Sequence, residues 1–244
     1  MKIPDLYALR LQEPKNLIQF AAGQLQGSKA RQEDYFLNFN DECFVVADGV
    51  ESLPHGDVAA KLAAETAVWA YKLVRQRRYY WTEKMKLLAR MFRSTNMTLW
   101  QKQKEWGFTD GMGTTLTVLL AGPKNFWIGH VGDSALFLFR DGTLTKRTID
   151  NVDRQGVLTK VIGGTRYGLK PQIENDIFTP GDVLLLVTKG ITNAFSAESI
   201  RSILATMVVE NVTPVDTVAK LLKKAEATGV GENMTVCLIR RMKA

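Results

Sequence analysis

Acidic residues stand at the ends of apolar, strand-like runs, where their carboxylates could bind a hard cation. The apolar run CFVVA leads directly into Asp48 and Gly49, and a second acidic pair, Glu33 and Asp34, precedes it. Glycine after the acid leaves its carbonyl open to close approach by an ion, and oxygen ligands favour Mg²⁺, Mn²⁺ or Ca²⁺ over zinc. The Asp-Gly dipeptide is also a common turn signal. The segment therefore predicts either a turn or one part of an oxygen-rich metal site.

Two further acids occupy comparable places at predicted strand ends. Asp133 lies between two strands in the sequence VGDS, and Glu232 precedes the last strand in the sequence ENMTV. If these strand ends converge, the acids form a cluster that holds two divalent ions bridged by Asp48. Two metal ions about 3.5–4 Å apart lower the pKa of a shared water and neutralise the oxygens of a transferring phosphoryl group. An Asx-type turn cap before Ser134 is the alternative role for Asp133.

The elements that would position these acids alternate between strands and helices. The predicted strands span residues 17–22, 35–39, 44–47, 114–120, 125–131, 136–140, 183–188 and 234–239. The predicted helices start at Asp57, run from an N-cap at Thr82 to about Lys104, and span residues 196–208 and 214–227. Strand runs joined by hairpin-length turns and separated by helix pairs favour antiparallel sheets covered by helices. No repeat, linker or low-complexity segment interrupts the chain, which predicts one domain over residues 1–244.

Three-four spacing also predicts which face of the first two helices is apolar. In the first helix the spacing selects Val58, Leu62, Ala63, Thr66, Trp69, Ala70 and Leu73. In the second helix it selects Met85, Leu88, Met91, Phe92, Thr95 and Leu99.

Length and composition exclude some classes of protein. With 244 residues and 45% hydrophobic content, the chain is long enough to bury a substantial core. No stretch of about eighteen apolar residues occurs, which predicts no membrane span, and the N-terminal residues lack the apolar run of a secretion signal. Both cysteines, Cys43 and Cys237, lie inside apolar runs, as free buried thiols do. These features predict a cytoplasmic protein.

The net charge of +7 favours anionic partners, such as a phosphorylated protein or nucleic acid. Two local basic clusters occur, one at Arg75, Arg77 and Arg78 and the other at Arg240, Arg241 and Lys243. Tyr79, Tyr80 and Trp81 follow the first cluster, but packing at a helix joint explains them. Neither cluster is interleaved with aromatic residues in a recognition pattern, so both are interpreted as solvated faces or helix ends and a nucleic-acid role is not favoured.

The order of the short motifs resembles the metal-dependent type 2C serine/threonine protein phosphatases, the PPM family, in their compact bacterial form. The motifs are, in order, Glu33-Asp34, VADG at 46–49, GMGTT at 111–115, VGDS at 131–134, a strand that ends in a dipeptide with Gly190, and ENMTV at 232–236. The resemblance covers roughly residues 17–240. It implies an α+β fold, a four-layer α-β-β-α sandwich of two antiparallel sheets flanked by helix pairs. It also implies Mg²⁺- or Mn²⁺-dependent hydrolysis of phosphoserine and phosphothreonine in proteins.

The resemblance also implies metal ligands at matching positions. It gives Asp48 the bridging role, Gly49 a carbonyl ligand, Glu33 and Asp34 the second metal, directly or through water, and Glu232 the first metal, where the family has an aspartate. Asp133 matches an acid that the family uses beside the cluster, including for a third, looser ion. Carboxylate chemistry is thus kept at each of these acidic positions.

The family also carries an arginine four residues before the first acid, where it binds the substrate phosphate. In this sequence that position is Lys29, and Arg31 stands two residues before Glu33. If the segment is extended, all three side chains alternate onto one face, although a solvated strand is the alternative. Arginine binds phosphate through a bidentate fork and lysine only as a point charge, so we expect Arg31 to bind the phosphate with Lys29 in support.

Lys189 is the main departure from the family pattern. It precedes Gly190 where the family has an aspartate that binds the first metal, and a protonated lysine cannot ligate a cation. We hypothesise that the Lys189 ammonium replaces the first metal and pairs with Asp48 and Glu232. The alternative is that Lys189 extends into solvent and nothing replaces the ion.

Two shorter departures affect the surroundings of the site. The stretch between Asp150 and Asp182 is short, so most of the family's flap segment, which borders the substrate groove, is missing. Val50-Glu51-Ser52 replaces glycines of the family, and nearby His55 is either an assisting acid or a surface histidine.

Two functions therefore remain: weak metal-dependent hydrolysis of phosphoproteins, or an inactive pseudophosphatase that binds a phosphoprotein or signalling partner.

Overall fold

The structure is a computed structural model that describes residues 18–75 and 83–242. In chain order its strands are β1 (Ile18–Leu25), β2 (Asp34–Phe39), β3 (Cys43–Asp48), β4 (Leu116–Ala121), β5 (Asn125–Val131), β6 (Ala135–Arg140), β7 (Thr143–Lys146), β8 (Gln172–Ile177), β9 (Val183–Val187) and β10 (Met234–Arg241). Its helices are α1 (Gly56–Arg75), α2 (Lys84–Glu105), α3 (Lys189–Ala194), α4 (Ala197–Val209) and α5 (Pro214–Glu226). The strands form two five-stranded antiparallel sheets, which confirms the predicted α+β class.

The described residues fall into two compact units. The central unit comprises Glu33–Ser134 and Ile149–Ile177, and the terminal unit comprises the described residues before and after these segments together with Ala135–Thr148. Each unit contains one sheet and its own apolar core. The prediction of one domain over residues 1–244 stays a prediction.

The central unit places its sheet, in the order β2-β3-β4-β5-β8, against α1 and α2. Alternate β3 residues Cys43, Val45 and Ala47 join the core shared with the two helices, so Asp48 alternates onto the opposite face. On α2, the predicted core positions from Leu88 to Leu99 are buried, whereas Met85 is exposed and its prediction is wrong. The predicted N-cap Thr82 lies outside the described residues, as do the basic and aromatic residues at 77–81.

The predicted apolar face of α1 is right for Ala63, which is buried, and for Val58, Leu62 and Ala70, which pack partly buried against the core, but it is wrong for Trp69 and Leu73. The buried residues of this helix are mostly alanines: Ala59, Ala60, Ala63, Ala64 and Ala67, followed by Val68 and Tyr71. Trp69 and Leu73, which the spacing assigned to the core, are 58% and 51% exposed. Small side chains allow the helix backbone to approach the sheet closely, so the alanine stripe, rather than Trp69 and Leu73, faces the core.

A partly buried charge network lies at the C-terminal end of α1. Glu42 accepts hydrogen bonds from Tyr71 Oη at 2.7 Å and from Arg75 Nε and Nη2 at 2.7 and 2.6 Å. Burial alone would raise the pKa of Glu42, but the bonds from Arg75 and Tyr71 hold it below its ordinary value. Lys84 is buried nearby with 7% of its surface exposed. Arg75 is therefore a paired residue at a helix end.

The terminal unit has the sheet order β1-β10-β9-β6-β7 and packs it against α3, α4 and α5. The predicted helices at 196–208 and 214–227 correspond to α4 and α5, and their N-caps Ser196 and Thr213 accept bonds from Ser199 N and Asp216 N. Short elements α3, β7 and β8 were not predicted. Both cysteines are buried and free, as predicted. Within the described ranges, no helix is both long and apolar enough to span a membrane.

Candidate metal centre and phosphate site

Two threonines of the GMGTT motif hold the backbone at Asp48 in the central unit. Asp48 N donates to Thr115 Oγ1 at 3.0 Å, and its carbonyl accepts from Thr115 N at 2.8 Å and from Thr114 Oγ1 at 2.9 Å. Thr114 and Thr115 are almost completely buried. Asp48 is therefore fixed at the end of β3 by three hydrogen bonds from one neighbouring segment.

Asp34 and Asp48 are register partners in the antiparallel ladder between β2 and β3. Directly opposed residues of such a ladder point to the same face of the sheet, and like charges placed there repel each other. Asp34 is buried, with 3% of its surface exposed. A divalent cation bound by both carboxylates would relieve this repulsion, so the pair fits the donor chemistry of a hard cation.

Glu33 lies beside a close approach of two glycines. Gly49 N donates to the Glu33 carbonyl at 3.0 Å. A Cβ on Gly49 would lie 2.5 Å from the Gly56 carbonyl carbon, and a Cβ on Gly56 would lie 3.2 Å from Glu33 Oε2. The backbone contacts around Gly49 leave no room for a side chain, so glycine at this position lets the loop after Asp48 pass against the start of α1. The Glu33 carboxylate is thereby held next to the first residue of α1.

The VGDS motif supports the same region of the central unit. Gly132 has φ +117, and a Cβ there would lie 2.5 Å from Thr115 Cβ. Ser134 Oγ and Thr115 Oγ1 are 3.0 Å apart, within hydrogen-bonding distance. Asn151 Oδ1 accepts from Gly132 N at 3.1 Å. Asp133, between these contacts, is 7% exposed. Its roles as an acid beside the metals or as a turn cap both stay predictions.

His130 extends this polar network and was not singled out in the sequence. Its Nδ1 lies 2.8 Å from Thr117 Oγ1 and its Nε2 lies 3.0 Å from the Gly132 carbonyl. The ring is fully buried on β5. The single available signal was a histidine just before VGDS, and a lone buried histidine is as typical of a packed core as of a site. Its contacts here support the backbone of Gly132.

In the terminal unit, the predicted phosphate-binding residues lie on a loop after β1. Residues 27–31 form a turn rather than an extended segment, so strand alternation does not place Lys29 and Arg31 on one face. Asn233 Nδ2 donates to the carbonyls of Gln26 at 2.7 Å and Arg31 at 3.1 Å. Arg31 is exposed and Lys29 is partly buried. The ENMTV motif therefore fixes the loop that carries both cations.

Lys189 is the first residue of α3 and directly follows β9 and Thr188. Thr188 Oγ1 accepts from Thr235 N at 2.9 Å. A Cβ on Gly190 would lie 2.2 Å from the Asn233 carbonyl oxygen. The Lys189-Gly190 dipeptide is thus packed against the ENMTV motif. The pairing of Lys189 with Asp48 and Glu232 stays a prediction.

Glu232 accepts a hydrogen bond in the same unit. Asn193 Nδ2, on α3, donates to Glu232 Oε2 at 3.1 Å. A neutral amide therefore occupies part of the acceptor capacity of this carboxylate. In the part of the chain that the structure describes, no three His, Cys, Asp or Glu side chains form a group suited to a metal ion.

His55 does not stand as an isolated surface histidine. Its ring stacks on Phe108 with centroids 3.6 Å apart and an interplanar angle of 13°. Phe108 in turn contacts Trp106 edge to face at 5.6 Å. The stacking explains the partly buried position of His55 without an acid role.

Comparison with solved structures identifies the fold as that of bacterial serine/threonine phosphatases. The Mycobacterium tuberculosis phosphatase PstP/Ppp matches with a TM-score of 0.79 and 21% identity, covering 93% of this chain and 99% of that one. The Streptococcus agalactiae serine/threonine phosphatase matches with a TM-score of 0.81 and 19% identity, covering 93% and 100%. A further match, with a TM-score of 0.79, 22% identity and coverage of 93% and 99%, is the catalytic domain of PstP in complex with two manganese ions.

Sequence comparison defines the family. The family description "Protein phosphatase 2C" matches residues 25–225, and the chain belongs to this family. Protein phosphatase PhpP of Streptococcus pneumoniae is 29% identical over 148 residues, 53% of this chain. That match spans only 58% of the length of PhpP. The serine/threonine phosphatase stp of Listeria monocytogenes is 24% identical over 230 residues, covering 83% of this chain and 85% of stp. PPM phosphatases use Mg²⁺ or Mn²⁺.

Proposed function

We propose that this chain hydrolyses phosphoserine and phosphothreonine in proteins weakly, with one Mg²⁺ or Mn²⁺ ion rather than two. Membership of the protein phosphatase 2C family supports the reaction class. The limit to one ion rests on Lys189, which follows β9 and Thr188 at the position where the family pattern has a metal-binding aspartate. The buried, free thiols of Cys43 and Cys237 support a cytoplasmic location.

The central unit supplies the residues proposed to hold the ion. Asp48 and Asp34 are opposed on one sheet face, Gly49 offers its carbonyl, and Glu33 lies beside the Gly56 backbone. These oxygen donors fit a hard cation, and Asp133 is assigned beside them. A bound Mg²⁺ or Mn²⁺ would supply an activated water and neutralise phosphoryl oxygens.

The terminal unit supplies the cations. Arg31 is proposed to bind the substrate phosphate through its bidentate guanidinium, with Lys29 in support. Their loop is fixed through the Arg31 carbonyl by Asn233. Lys189 is proposed to substitute for the first metal and to pair with Glu232 of its own unit, which would lower the net negative charge of the acids. An ammonium cannot activate water as a metal ion does, so hydrolysis should be slow.

A pseudophosphatase that binds a phosphoprotein or signalling partner is the second candidate. It is favoured by the lack of any group of three or more metal-binding side chains among residues 18–75 and 83–242. It also agrees with the hydrogen bond between Asn193 and Glu232, which occupies a carboxylate that the first metal would need.

Phosphate release from a phosphothreonine peptide, measured with Mn²⁺ and with EDTA, separates the two candidates. The same peptide, labelled with a fluorophore, reports binding by anisotropy. We expect slow Mn²⁺-dependent release that Asp48→Asn abolishes. Binding that depends on the phosphate, without any release, would establish the pseudophosphatase instead. A chain that neither cleaves nor binds the phosphopeptide would contradict both.

A further inference from the structure

A basic surface on the central unit lies outside the residues assigned to phosphate or metal binding. Residues 154–173 contain four cations and no carboxylate: Arg154, Lys160, Arg166 and Lys170. All four are exposed. Within the described ranges, none of them forms an ion pair with an Asp or Glu side chain. Among the described residues, these four cations are therefore not held in ion pairs, although Asp153 and Glu174 flank the segment.

The Arg166 side chain is oriented by two aromatic rings. Its Cζ lies 4.8 Å from the centre of the Trp100 ring and 4.8 Å from the centre of the Tyr167 ring. Lys104 Nζ lies 4.0 Å from the centre of the same Trp100 ring. A guanidinium held over aromatic rings keeps N–H donors that can bind a planar oxyanion. Two cations are thus brought together on one indole, and one of them retains its bidentate donors.

The backbone that carries Arg166 is fixed by α2. Asn96, 3% exposed, donates from Nδ2 to the Thr165 carbonyl at 2.8 Å and accepts at Oδ1 from Gly163 N at 2.9 Å. Gln103 Nε2 donates to the Gly163 carbonyl at 3.1 Å. Because the loop is already ordered, binding through Arg166 costs little additional conformational entropy.

We propose that Arg166 and Lys104, held by Trp100 and Tyr167, form a docking site for a carboxylate-rich segment of the phosphoprotein substrate or partner. The assignment of a phosphoprotein as ligand rests on the proposed function. Two exposed cations at one ring, Arg166 and Lys104, are complementary in charge to an Asp- or Glu-rich peptide. A nucleic acid is less well matched, because single-strand binding uses exposed ring faces for base stacking and cations already lie over both rings here.

Four fluorescent peptides test this docking site by anisotropy. They combine a phosphothreonine or an unmodified threonine with either an Asp- and Glu-rich flank or the same flank written with Asn and Gln. Arg166→Ala should weaken binding of both acidic peptides by about tenfold, the size expected for loss of one bidentate charged contact, and leave both neutral-flank peptides unchanged. Arg166→Lys should recover only a small part of the lost affinity for the acidic peptides, because lysine lacks the bidentate guanidinium. Lys220→Ala, which removes an exposed cation on α5, is the matched control and should have no effect.

The outcomes separate this inference from the proposed function. Equal weakening of acidic and neutral-flank peptides by Arg166→Ala, with an unchanged unfolding midpoint, would overturn the docking site. Equal weakening of acidic-peptide binding by Lys220→Ala and Arg166→Ala would also overturn it, because net charge alone would then explain the binding. Arg166-dependent binding of a single-stranded oligonucleotide of matched charge that is tighter than binding of the acidic peptides would overturn it as well. If the acidic flank matters but the phosphate does not, the docking site stands and the proposed function fails.

Discussion

Asp34 lies directly opposite Asp48 in the ladder between β2 and β3, so two carboxylates share one face of the central sheet. Both acids belong to separate short motifs, and the pairing of the strands brings the motifs together. This relationship is the part of the candidate site that the central unit builds by itself. Its chemical meaning can be tested through metal-dependent stability.

Asp34→Asn should reduce the stabilisation that Mn²⁺ gives. The substitution removes one of two opposed charges, so in EDTA the unfolding midpoint should stay equal or rise slightly, by an amount equivalent to at most about 1 kcal/mol. The increase in the unfolding midpoint that Mn²⁺ causes should be smaller in Asp34→Asn, because stabilisation by a bound ion depends on the affinity for that ion. Differential scanning fluorimetry measures both. Asp141→Asn, in an exposed turn with φ +50 that asparagine tolerates, is the control, and an unchanged Mn²⁺ effect in Asp34→Asn would contradict the assignment.

Thr115→Val should destabilise the protein through the backbone of Asp48. The valine has the same shape but cannot accept the bond from Asp48 N, which Thr115 Oγ1 accepts at 3.0 Å. A buried amide without its acceptor costs about 1–3 kcal/mol. Urea unfolding should show this loss for Thr115→Val and a much smaller one for Thr115→Ser, which keeps the hydroxyl. Equal losses in the two variants would mean that the methyl group, not the hydrogen bond, matters.

Lys84→Met should have a pH-dependent effect on stability. Burial, aided by the Arg75 charge and opposed by Glu42, lowers the pKa of Lys84 to about 7. Between pH 7 and 10.5, the ordinary lysine value, the unfolded chain keeps a proton that the folded protein has lost, so native stability rises with pH. Methionine does not titrate. The increase in the free energy of unfolding that Lys84→Met gives over the native chain should therefore be largest near pH 7 and smallest at pH 10.

Thermal unfolding at a series of pH values measures this gain. Lys86→Met is the matched control, since Lys86 is exposed and pairs with Glu83 at 2.7 Å on the surface. It should change stability little and nearly equally at each pH. A gain for Lys84→Met that does not vary with pH would show that Lys84 is not the titrating group.

Much of the architecture could be predicted because strong local patterns coincide with the final packing. The strands around Asp48 and the caps Ser196 and Thr213 are encoded by apolar runs and short-range hydrogen bonds. The face of α1 could not be predicted from bulk alone. Trp69 satisfies the spacing but is exposed, whereas Ala67, which the spacing did not select, is buried, because close helix-sheet contact favours small residues.

The acids of the candidate site could be predicted from the sequence, but the hydrogen-bonded residues that support them could not. Thr115, Ser134, Asn151 and His130 support Asp48 and Gly132 through contacts between distant segments. A buried polar residue in a strand-like run gives no indication in the sequence of which distant group it will bond. The position of Arg31 was unpredictable for the same reason, because the turn at 27–31 is fixed by a hydrogen bond from the distant residue Asn233 to the Arg31 carbonyl.

The effect of Lys189→Asp on Mn²⁺-dependent phosphate release shows whether Lys189 takes the place of a metal ligand. If Lys189 takes the place of a metal ligand, the aspartate should raise turnover on a phosphothreonine peptide by about tenfold or more, since it restores a second ion to the reaction. Calorimetry should show Mn²⁺ binding increase from one ion to two. Lys220→Asp, with the same charge reversal on an exposed face of α5, should leave both unchanged. Equal turnover and equal Mn²⁺ stoichiometry in the native and Lys189→Asp chains, with both folded, would contradict the account.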